Sequence, residues 1–218
     1  MPTIDTRPLL FVISGPSGAG KSTAVQAIVD AQLASRLTTY TTRPRRPSET
    51  DGVEYHFIDA DTFLHLRARG EIAEYRRLYS GHYYASPRAA LVSDPAGALV
   101  IELDTIGFNR IKANSSRRVI GIFVTTPSPD DLRSRLSSRE HASADLRMRM
   151  LDHMRQLPLA LSYDHFLLNK SLPDFLAGLR SIVHSEILSS EGASWIVRQG
   201  LDSLLSLEEV RKEETGDG

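Results

Sequence analysis

Residues 15–23 read Gly15-Pro16-Ser17-Gly18-Ala19-Gly20-Lys21-Ser22-Thr23, and this stretch decides the fold. It matches the pattern G-x-x-x-x-G-K-[ST] of a phosphate-binding loop. The apolar run 9–13 before it is short and partly β-branched, which is typical of a buried parallel strand. The run after it, residues 22–33, repeats its apolar side chains with the period of a helix. The order of strand, loop and helix that this motif requires is therefore present.

The residue types of this loop suit a nucleoside triphosphate. Glycines let backbone N–H groups wrap around a phosphate without clashes from β-carbons, and the following helix offers its positive end to the same anion. Lys21 can reach the β- and γ-phosphates, and Ser22 can place its hydroxyl on Mg²⁺. We therefore predict that residues 15–23 bind ATP and that Lys21 is catalytic. The alternative is a glycine-rich turn before an ordinary helix.

The composition allows a folded α/β chain and excludes several other classes. The 218 residues are 41% hydrophobic, which permits a sizeable core, and the net charge of −1 argues against a general nucleic-acid binder. Cysteine is absent, which excludes disulfides and thiolate metal sites. No N-terminal stretch has the sections of a signal peptide, and the apolar runs are too short to span a bilayer. We expect a cytoplasmic protein that binds neither nucleic acid nor membrane.

Strand-like and helical segments alternate, which predicts a parallel sheet flanked by helices, as in P-loop NTPases. The predicted strands are 9–14, 37–41, 98–103, 119–124 and 165–168. The predicted helices are 22–34, 106–113, 129–138, 143–161 and 173–189. The alternation fails between residues 42 and 96, where Arg, Tyr, Gly and Pro are frequent. We predict a core at 8–37 and 98–190, an inserted α/β subdomain at 38–97, a small lid at 137–150 and a C-terminal tail at 191–218.

A second motif lies at residues 41–57, which read Thr-Thr-Arg-Pro-Arg-Arg-Pro-Ser-Glu-Thr-Asp-Gly-Val-Glu-Tyr-His-Phe. Together with the phosphate-binding loop, it resembles the guanylate kinase family, whose pattern T-T-R-x-x-R-x-x-E-x-x-G-x-x-Y-x-F has every fixed position present here. Residues 80–87, Ser-Gly-His-Tyr-Tyr-Ala-Ser-Pro, are similar to the family's G-N-Y-Y-G-[ST]-P. The resemblance covers residues 8–188, with the motifs in the same order.

The resemblance implies that the inserted subdomain binds GMP. Four residues match positions that hold the GMP phosphate: Arg43, Arg46, Tyr55 and Tyr84. Three match positions that read guanine: Thr39, Glu74 and Ser86. Two guanidinium forks and two phenols suit a dianion, and a carboxylate suits the N1–H and N2–H₂ donors. The alternatives are a solvated basic loop, half-buried tyrosines and a surface carboxylate.

The match at Glu74 depends on strand geometry. Between Glu74 and Gly81 the chain has one residue more than most family members. A one-residue change in a strand reverses the facing of its side chains unless a bulge absorbs it. Ala85 also stands where the family has Gly. We therefore expect Glu74 to read guanine only if a bulge turns it into the pocket.

The resemblance also implies residues around the transferred phosphoryl group. Glu102 and Asp104 match an Asp-x-Asp pair near the metal and the base, so we predict that Ser22, Glu102 and Asp104 hold Mg²⁺ and that Asp104 also contacts GMP. Three residues match lid arginines that close over this group: Arg135, Arg139 and Arg149. Asn169 matches a residue near the adenine of ATP.

The activity that the resemblance implies is phosphoryl transfer from MgATP to GMP, which gives ADP and GDP, with dGMP also accepted. One alternative is a kinase of the same fold for another phosphorylated acceptor, which the extra residue after Glu74 and the presence of Ala85 favour. The other is a non-catalytic interaction module related to guanylate kinases, which the intact Lys21 and Ser22 disfavour. The sequence predicts neither the oligomeric state nor the role of the tail.

Overall fold

The computed structural model describes residues 5, 7–47, 49–78, 81–92, 97–137, 151 and 157–190, over which strands and helices alternate. The strands are β1 (Leu9–Ser14), β2 (Ser35–Arg36), β3 (Thr39–Thr41), β4 (Tyr55–Phe57), β5 (Ile72–Arg77), β6 (Tyr83–Pro87), β7 (Leu99–Glu102), β8 (Arg118–Thr125) and β9 (His165–Leu168). The helices are α1 (Lys21–Asp30), α2 (Ala60–Ala68), α3 (Ala89–Val92), α4 (Thr105–Asn114) and α5 (Pro129–Ser137), followed by α6 (172–190).

Five strands form a parallel sheet in the order β2-β7-β1-β8-β9. The central strand β1 is buried along its whole length. A strand that is covered on both faces reads as a continuous apolar run, which is why residues 9–13 show no alternation. The predicted α/β class, with a parallel sheet flanked by helices, is confirmed. The loop after β1 lies at the carboxyl end of the sheet, where ligand sites of α/β folds form.

The two faces of this sheet pack into separate hydrophobic clusters. One cluster joins alternate residues of β1 to α1 and α6, and its buried members include Phe11, Ile13, Val25, Ile28, Phe175 and Leu179. The other joins the remaining residues of β1 to α4, and its buried members include Leu10, Val12, Phe108 and Ile111. Each fully buried side chain of this size contributes about 1.5–3 kcal/mol. The strand ends that carry the site are therefore held by a well-packed frame.

A second sheet of four strands, in the order β4-β3-β6-β5, stands apart from the first. Helix α2 covers one of its faces, where Phe63 is buried and stacks on Tyr83 with the ring centroids 4.1 Å apart. Asp59 caps this helix, because its side chain accepts a hydrogen bond from the N–H of Thr62. The second sheet thus has its own small core on one face, and the other face carries the polar side chains described below.

The predicted strand at 37–41 is confirmed only over residues 39–41, which form β3, because the chain crosses between the two sheets just before it. Strand β2 pairs with β7 in the first sheet, β3 pairs with β4 and β6 in the second, and residues 37 and 38 join them. Helix α1 also ends earlier than predicted, at Asp30. The chain must turn after it to reach β2, and Gln32 takes a φ of 55° in that turn.

The end of the predicted helix at 143–161 also needs correction, because Leu157–Ser162 form a 3₁₀-helix. The ring of Pro158 disfavours the α conformation at the residue before it, which explains why an α-helix does not continue here. Of the predicted lid, residues 138–150 lie outside the described part of the chain, as does the predicted tail at 191–218. Among the described residues, no helix combines the length and the apolar character that crossing a membrane requires.

Candidate active site

The phosphate-binding loop connects β1 to α1 with the backbone that its sequence predicts. The loop begins directly after Ser14, and α1 begins at Lys21. Gly15 and Gly20 have φ angles of 140° and 107°, which side chains with a β-carbon rarely adopt. A β-carbon at Gly15 would also overlap the carbonyl oxygen of Val124, and one at Gly20 would overlap the amide of Asn169. Conformation and space therefore both require glycine at these two positions.

Lys21 and Ser22 meet the carboxylate of Glu102. Nζ of Lys21 lies 3.6 Å from Oε1 of Glu102 and donates to the carbonyl oxygen of Pro16 at 3.0 Å. Oγ of Ser22 donates to Oε2 of Glu102 at 2.9 Å. Because β7 is the parallel neighbour of β1, with Glu102 opposite Ile13, this carboxylate reaches the loop from the adjacent strand. The lysine, hydroxyl and carboxylate predicted for the triphosphate and its metal ion thus lie together.

Asn169 supports the loop from the strand on the other side. Its Nδ2 donates to the carbonyl oxygen of Ala19 at 2.8 Å, and the side chain is buried. The backbone carbonyl oxygen of Asn169 accepts a hydrogen bond from the guanidinium of Arg135 at 2.7 Å. One residue therefore connects the phosphate-binding loop to the arginine predicted at the root of the lid. This loop contact was not predicted from the sequence, which indicated only a position near adenine.

One face of the second sheet carries the predicted acceptor residues. Strand register decides this, because directly paired residues and residues two apart share a face. Thr39 pairs with Tyr55, Thr41 pairs with Tyr84, and Glu74 pairs with Ser86. The paired strands bring five predicted side chains to the face opposite α2: Thr39, Tyr55, Glu74, Tyr84 and Ser86.

Strand β5 contains a bulge, but it lies before Glu74, whereas the extra residue lies after it. The register of β5 against β6 shifts between Ile72 and Glu74, so Ile72 faces the small core under α2 while Glu74 faces the opposite side. From Glu74 to Arg77 the pairing with β6 is regular, which shows that the extra residue does not disturb the ladder. Oγ of Ser86 donates to Oε1 of Glu74 at 2.6 Å, and both residues are buried. Burial raises the pKa of Glu74 above its ordinary value, although the bond from Ser86 opposes the shift.

Arg43 is held by a carboxylate that the sequence analysis did not single out. Its guanidinium forms two hydrogen bonds to Glu49, at 2.9 and 2.7 Å, and donates to the hydroxyl of Tyr84 at 3.1 Å. Glu49 also accepts from the backbone N–H of Arg46 at 2.9 Å. The hydrogen bonds from Arg43 hold the pKa of Glu49 below its ordinary value. The signal for Glu49 was in the motif, because it is the fixed Glu of T-T-R-x-x-R-x-x-E.

The two predicted phosphate-binding tyrosines pack against each other beside Arg43. The rings of Tyr55 and Tyr84 meet edge to face with their centroids 5.6 Å apart, and the guanidinium of Arg43 lies 5.6 Å from the centre of the Tyr55 ring. Burial raises the pKa of Tyr55 to about 12, so its hydroxyl remains a hydrogen-bond donor at neutral pH. The side chain of Arg46 is exposed.

Asp104 lies where the first sheet meets the second. It caps α4, because its Oδ1 accepts a hydrogen bond from the N–H of Gly107 at 2.7 Å. Its other oxygen forms an ion pair with Arg76, which extends from β5. A β-carbon on Gly107 would lie 3.3 Å from Oδ1 of Asp104 and 3.3 Å from Oε2 of Glu74. The carboxylates of Glu74 and Asp104 thus flank the same glycine.

The remaining predictions concern the lid arginines and the metal ion. Arg139 and Arg149 lie outside the described residues, whereas Arg135 is in α5. Over the ranges that the structure describes, no group of three or more His, Asp or Glu side chains is arranged to hold a metal ion. Ser22 and Glu102 bring two oxygen atoms together, and their role as metal ligands stays a prediction. Mg²⁺ at nucleotide sites takes its other ligands from phosphates and water.

Comparisons with known proteins agree with this geometry. The family model described as "Guanylate kinase" matches residues 6–186. The guanylate kinase of Syntrophotalea carbinolica is 36% identical over 182 residues, which cover 82% of this chain and 86% of that protein. The guanylate kinase of Aromatoleum aromaticum is 36% identical over 183 residues, with coverages of 82% and 89%. The crystal structure of guanylate kinase from Anaplasma phagocytophilum shares the fold at 23% identity, with a TM-score of 0.67 over 83% of this chain and 86% of that one.

Proposed function

Because this chain belongs to the guanylate kinase family, we propose that it transfers the γ-phosphoryl group of MgATP to GMP, giving ADP and GDP, and that it also accepts dGMP. The observation that carries the proposal is the buried pair of Glu74 and Ser86 on the face that also presents Tyr84. A buried carboxylate is costly unless a ligand or a partner uses it. Guanine offers the two adjacent N–H donors that this carboxylate can accept.

The donor side of the reaction rests on the phosphate-binding loop. The loop amides and the N-terminal end of α1 cradle the phosphates of ATP, and Lys21 contacts the β- and γ-phosphates. The hydroxyl of Ser22 and the carboxylate of Glu102, 2.9 Å apart, fit the oxygen ligands that Mg²⁺ prefers. Mg²⁺ held by Ser22 and Glu102 would supply positive charge that offsets the charge of the phosphates. Asp104, also predicted as a ligand, has both of its oxygens engaged by Gly107 and Arg76, so we place it on the acceptor side.

The acceptor phosphate is bound by Arg43, Arg46, Tyr55 and Tyr84. In this structure Glu49 occupies the fork of Arg43, so the incoming phosphate must share or replace this partner. Arg46 is exposed and therefore able to move onto the anion. The GMP phosphate carries up to two negative charges, whereas the carboxylate of Glu49 carries one. The phosphate should therefore bind the two guanidinium groups more strongly than the carboxylate does.

The base is read by Glu74, Ser86 and Thr39. The carboxylate of Glu74 accepts from N1–H and N2–H₂, and the hydroxyl of Thr39, on the same sheet face, can donate to O6. Ser86 holds the carboxylate through its single O–H, and it can donate to O6 only if that bond to Glu74 is released. Adenine presents an acceptor at N1, so a lone pair would meet the carboxylate. A site built in this way rejects bases that leave its buried polar groups unpaired.

The chemical step needs alignment rather than a strong base. An oxygen of the GMP phosphate forms the new bond to the γ-phosphorus, and the bond from this phosphorus to the bridging oxygen breaks, so the electron pair leaves with ADP. The acceptor oxygen is already anionic, and the positive groups of Lys21, Arg43 and Arg135 reduce the repulsion between the two anions. Arg139 and Arg149 are proposed to complete this screening from the lid. Exclusion of water would suppress hydrolysis of ATP.

A panel of nucleoside monophosphates tests this proposal. The wild-type protein is mixed with MgATP and GMP, dGMP, AMP, CMP or UMP, and the formation of ADP is followed. We expect kcat/KM to be highest for GMP, with dGMP next. An equal or higher value for another base would favour a kinase of the same fold with a different acceptor. The absence of turnover with every acceptor would favour an interaction module.

A cytoplasmic location remains a prediction from the sequence.

A further inference from the structure

Arg76 extends from β5 into the acceptor site, although nothing in the sequence pattern assigned it a role. It pairs directly with Tyr84 and lies two residues after Glu74 in the regular part of the ladder, so it shares their face. Its side chain is about one-third exposed, at 35%. A cavity of about 230 Å³ is lined by Glu74, Arg76, Gly107 and Arg110, among others. Arg76 therefore borders the same space as the carboxylate that is proposed to read guanine.

The partner of Arg76 is Asp104, which lies between β7 of the first sheet and α4. One oxygen of Asp104 is used to cap α4, and the second is bound by the Arg76 guanidinium. This arrangement fixes the carboxylate at both of its oxygens. Without Arg76, the Asp104 carboxylate would be held through Oδ1 by the N–H of Gly107, and the orientation of its plane would be less fixed.

The charge balance of the site also depends on Arg76. Glu74 and Asp104 flank Gly107, and like charges in a partly buried site repel each other. Arg110 also lines this cavity, and its charge partly opposes the rise in the pKa of Glu74, while its guanidinium donates to the carbonyl oxygen of Tyr75 at 2.9 Å. The side-chain cation that bonds Asp104 is Arg76. Its loss would leave the Asp104 charge without this bonded cation, beside Glu74 and facing an acceptor that is itself a dianion.

We propose that Arg76 is a positioning residue of the acceptor site, which fixes the Asp104 carboxylate beside Glu74 and offsets its charge where the guanine monophosphate binds. This inference rests on the proposed function, because it concerns binding of the same acceptor. It makes Arg76 act through Asp104 rather than through direct contact with the transferred group. The effect should therefore be on the acceptor and not on ATP.

Arg77 provides a matched control in the neighbouring position. Arg77 also borders the cavity that Arg76 lines, but its guanidinium lies on the other side of β5, 5.6 Å from the centre of the Tyr83 ring, and donates to the carbonyl oxygen of Gly81. Arg76→Ala and Arg77→Ala remove the same chemical group from adjacent residues of one strand. We expect Arg76→Ala to raise KM for GMP about tenfold, with KM for ATP within about twofold of wild type, because a hydrogen bond to a charged group is lost. Arg77→Ala should change neither KM.

A double-mutant cycle tests whether Arg76 acts through Asp104. Asp104→Asn keeps an oxygen for the helix cap but removes the charge that Arg76 offsets. In the Asp104→Asn background, Arg76→Ala should raise KM for GMP by less than about twofold, because the interaction it removes is already lost. Arg76→Lys restores the charge without the fork, and its KM should lie between those of wild type and Arg76→Ala.

The outcomes separate this inference from the proposed function. If wild-type protein does not phosphorylate GMP, both are wrong. If wild type is active on GMP but Arg76→Ala behaves like Arg77→Ala, only the role of Arg76 is overturned. An unchanged tenfold effect in the Asp104→Asn background would overturn it as well, because Arg76 would then act directly. Thermal unfolding of each variant identifies any that fail to fold, and Arg76→Lys and Arg76→Gln then replace Arg76→Ala in the same comparison.

Discussion

Substitution of Glu74 by glutamine should separate the function of the acceptor site from its stability. Gln has the same shape, and its oxygen can still accept the 2.6 Å hydrogen bond from Ser86. Its amide nitrogen, however, presents donors where the carboxylate presented a lone pair. Guanine would then bring an N–H donor against another donor in a buried site. The fold should persist while recognition of GMP is lost.

The magnitude follows from the type of contact that is removed. A hydrogen bond to a charged group contributes about 1.5–3 kcal/mol, and leaving a buried donor unpaired adds to the loss. We therefore expect kcat/KM for GMP to fall by about tenfold to a hundredfold, with KM for ATP unchanged. Because the preference over AMP depends on the carboxylate, the ratio of kcat/KM for GMP to that for AMP should fall as well.

The same substitution should lower activity toward GMP but raise the stability of the folded protein. Burial raises the pKa of Glu74, so the folded state disfavours the ionised form. Above this raised pKa, the buried carboxylate of wild type is ionised, and its charge lowers the free energy of unfolding. The free energy of unfolding therefore rises as the pH falls through the raised pKa. Gln has no charge to bury, so the variant should have a higher Tm than wild type at neutral pH. The difference should shrink in acid, below the ordinary pKa of a glutamate.

Two measurements check this prediction. The first is steady-state kinetics with GMP and with AMP, and the second is Tm as a function of pH in the absence of ligand. Wild-type kcat/KM for GMP should itself decline in acid at a higher pH than an ordinary carboxyl group would produce, and the Gln variant should lack this decline. A variant that keeps wild-type kcat/KM for GMP would refute the role of Glu74 as the reader of guanine. A Tm below that of wild type at neutral pH would refute the argument from the buried charge.

Three further substitutions probe other parts of the site. Lys21→Ala should abolish phosphoryl transfer, measured as ADP formation, while Tm stays near that of wild type, since within the described part of the chain the lysine donates to the Pro16 carbonyl and lies 3.6 Å from Glu102. Arg46→Ala should raise KM for GMP by about tenfold or more and KM for ATP far less, and equal effects on the two would count against a role in binding the acceptor phosphate. Asn169→Ala removes the bond to Ala19 and leaves the carbonyl that Arg135 uses, so KM for ATP should rise while KM for GMP stays within about twofold of wild type.

Much of this site was predictable because its residues lie in two motifs with fixed spacing. The phosphate-binding loop identified Lys21 and Ser22, and the second motif indicated Arg43 and its neighbours. Local sequence is sufficient here, because each motif folds within one strand–loop–helix or strand–loop–strand unit. The central strands were likewise predicted from their apolar runs, since burial on both faces leaves a clear pattern.

Contacts between distant segments were not predictable in the same way. Whether Glu74 faced the pocket depended on its pairing with Ser86, and pairing register is a property of two strands, not of one. The bond from Asn169 to Ala19 and the ion pair from Arg76 to Asp104 join elements whose relative positions follow from packing of the whole core. Glu49 differs, because its partner Arg43 is close in sequence and the motif contained its signal.

The central claim, transfer of a phosphoryl group from ATP to GMP, is tested most directly by following the γ-phosphate itself. The wild-type protein is incubated with Mg²⁺, GMP and ATP that is radiolabelled at the γ-phosphate, and the nucleotides are separated. The account predicts that the label appears in GDP in an amount equal to the ADP formed, and that Lys21→Ala gives none. Label that appears only as inorganic phosphate, or that fails to leave ATP while GMP is present, would contradict it.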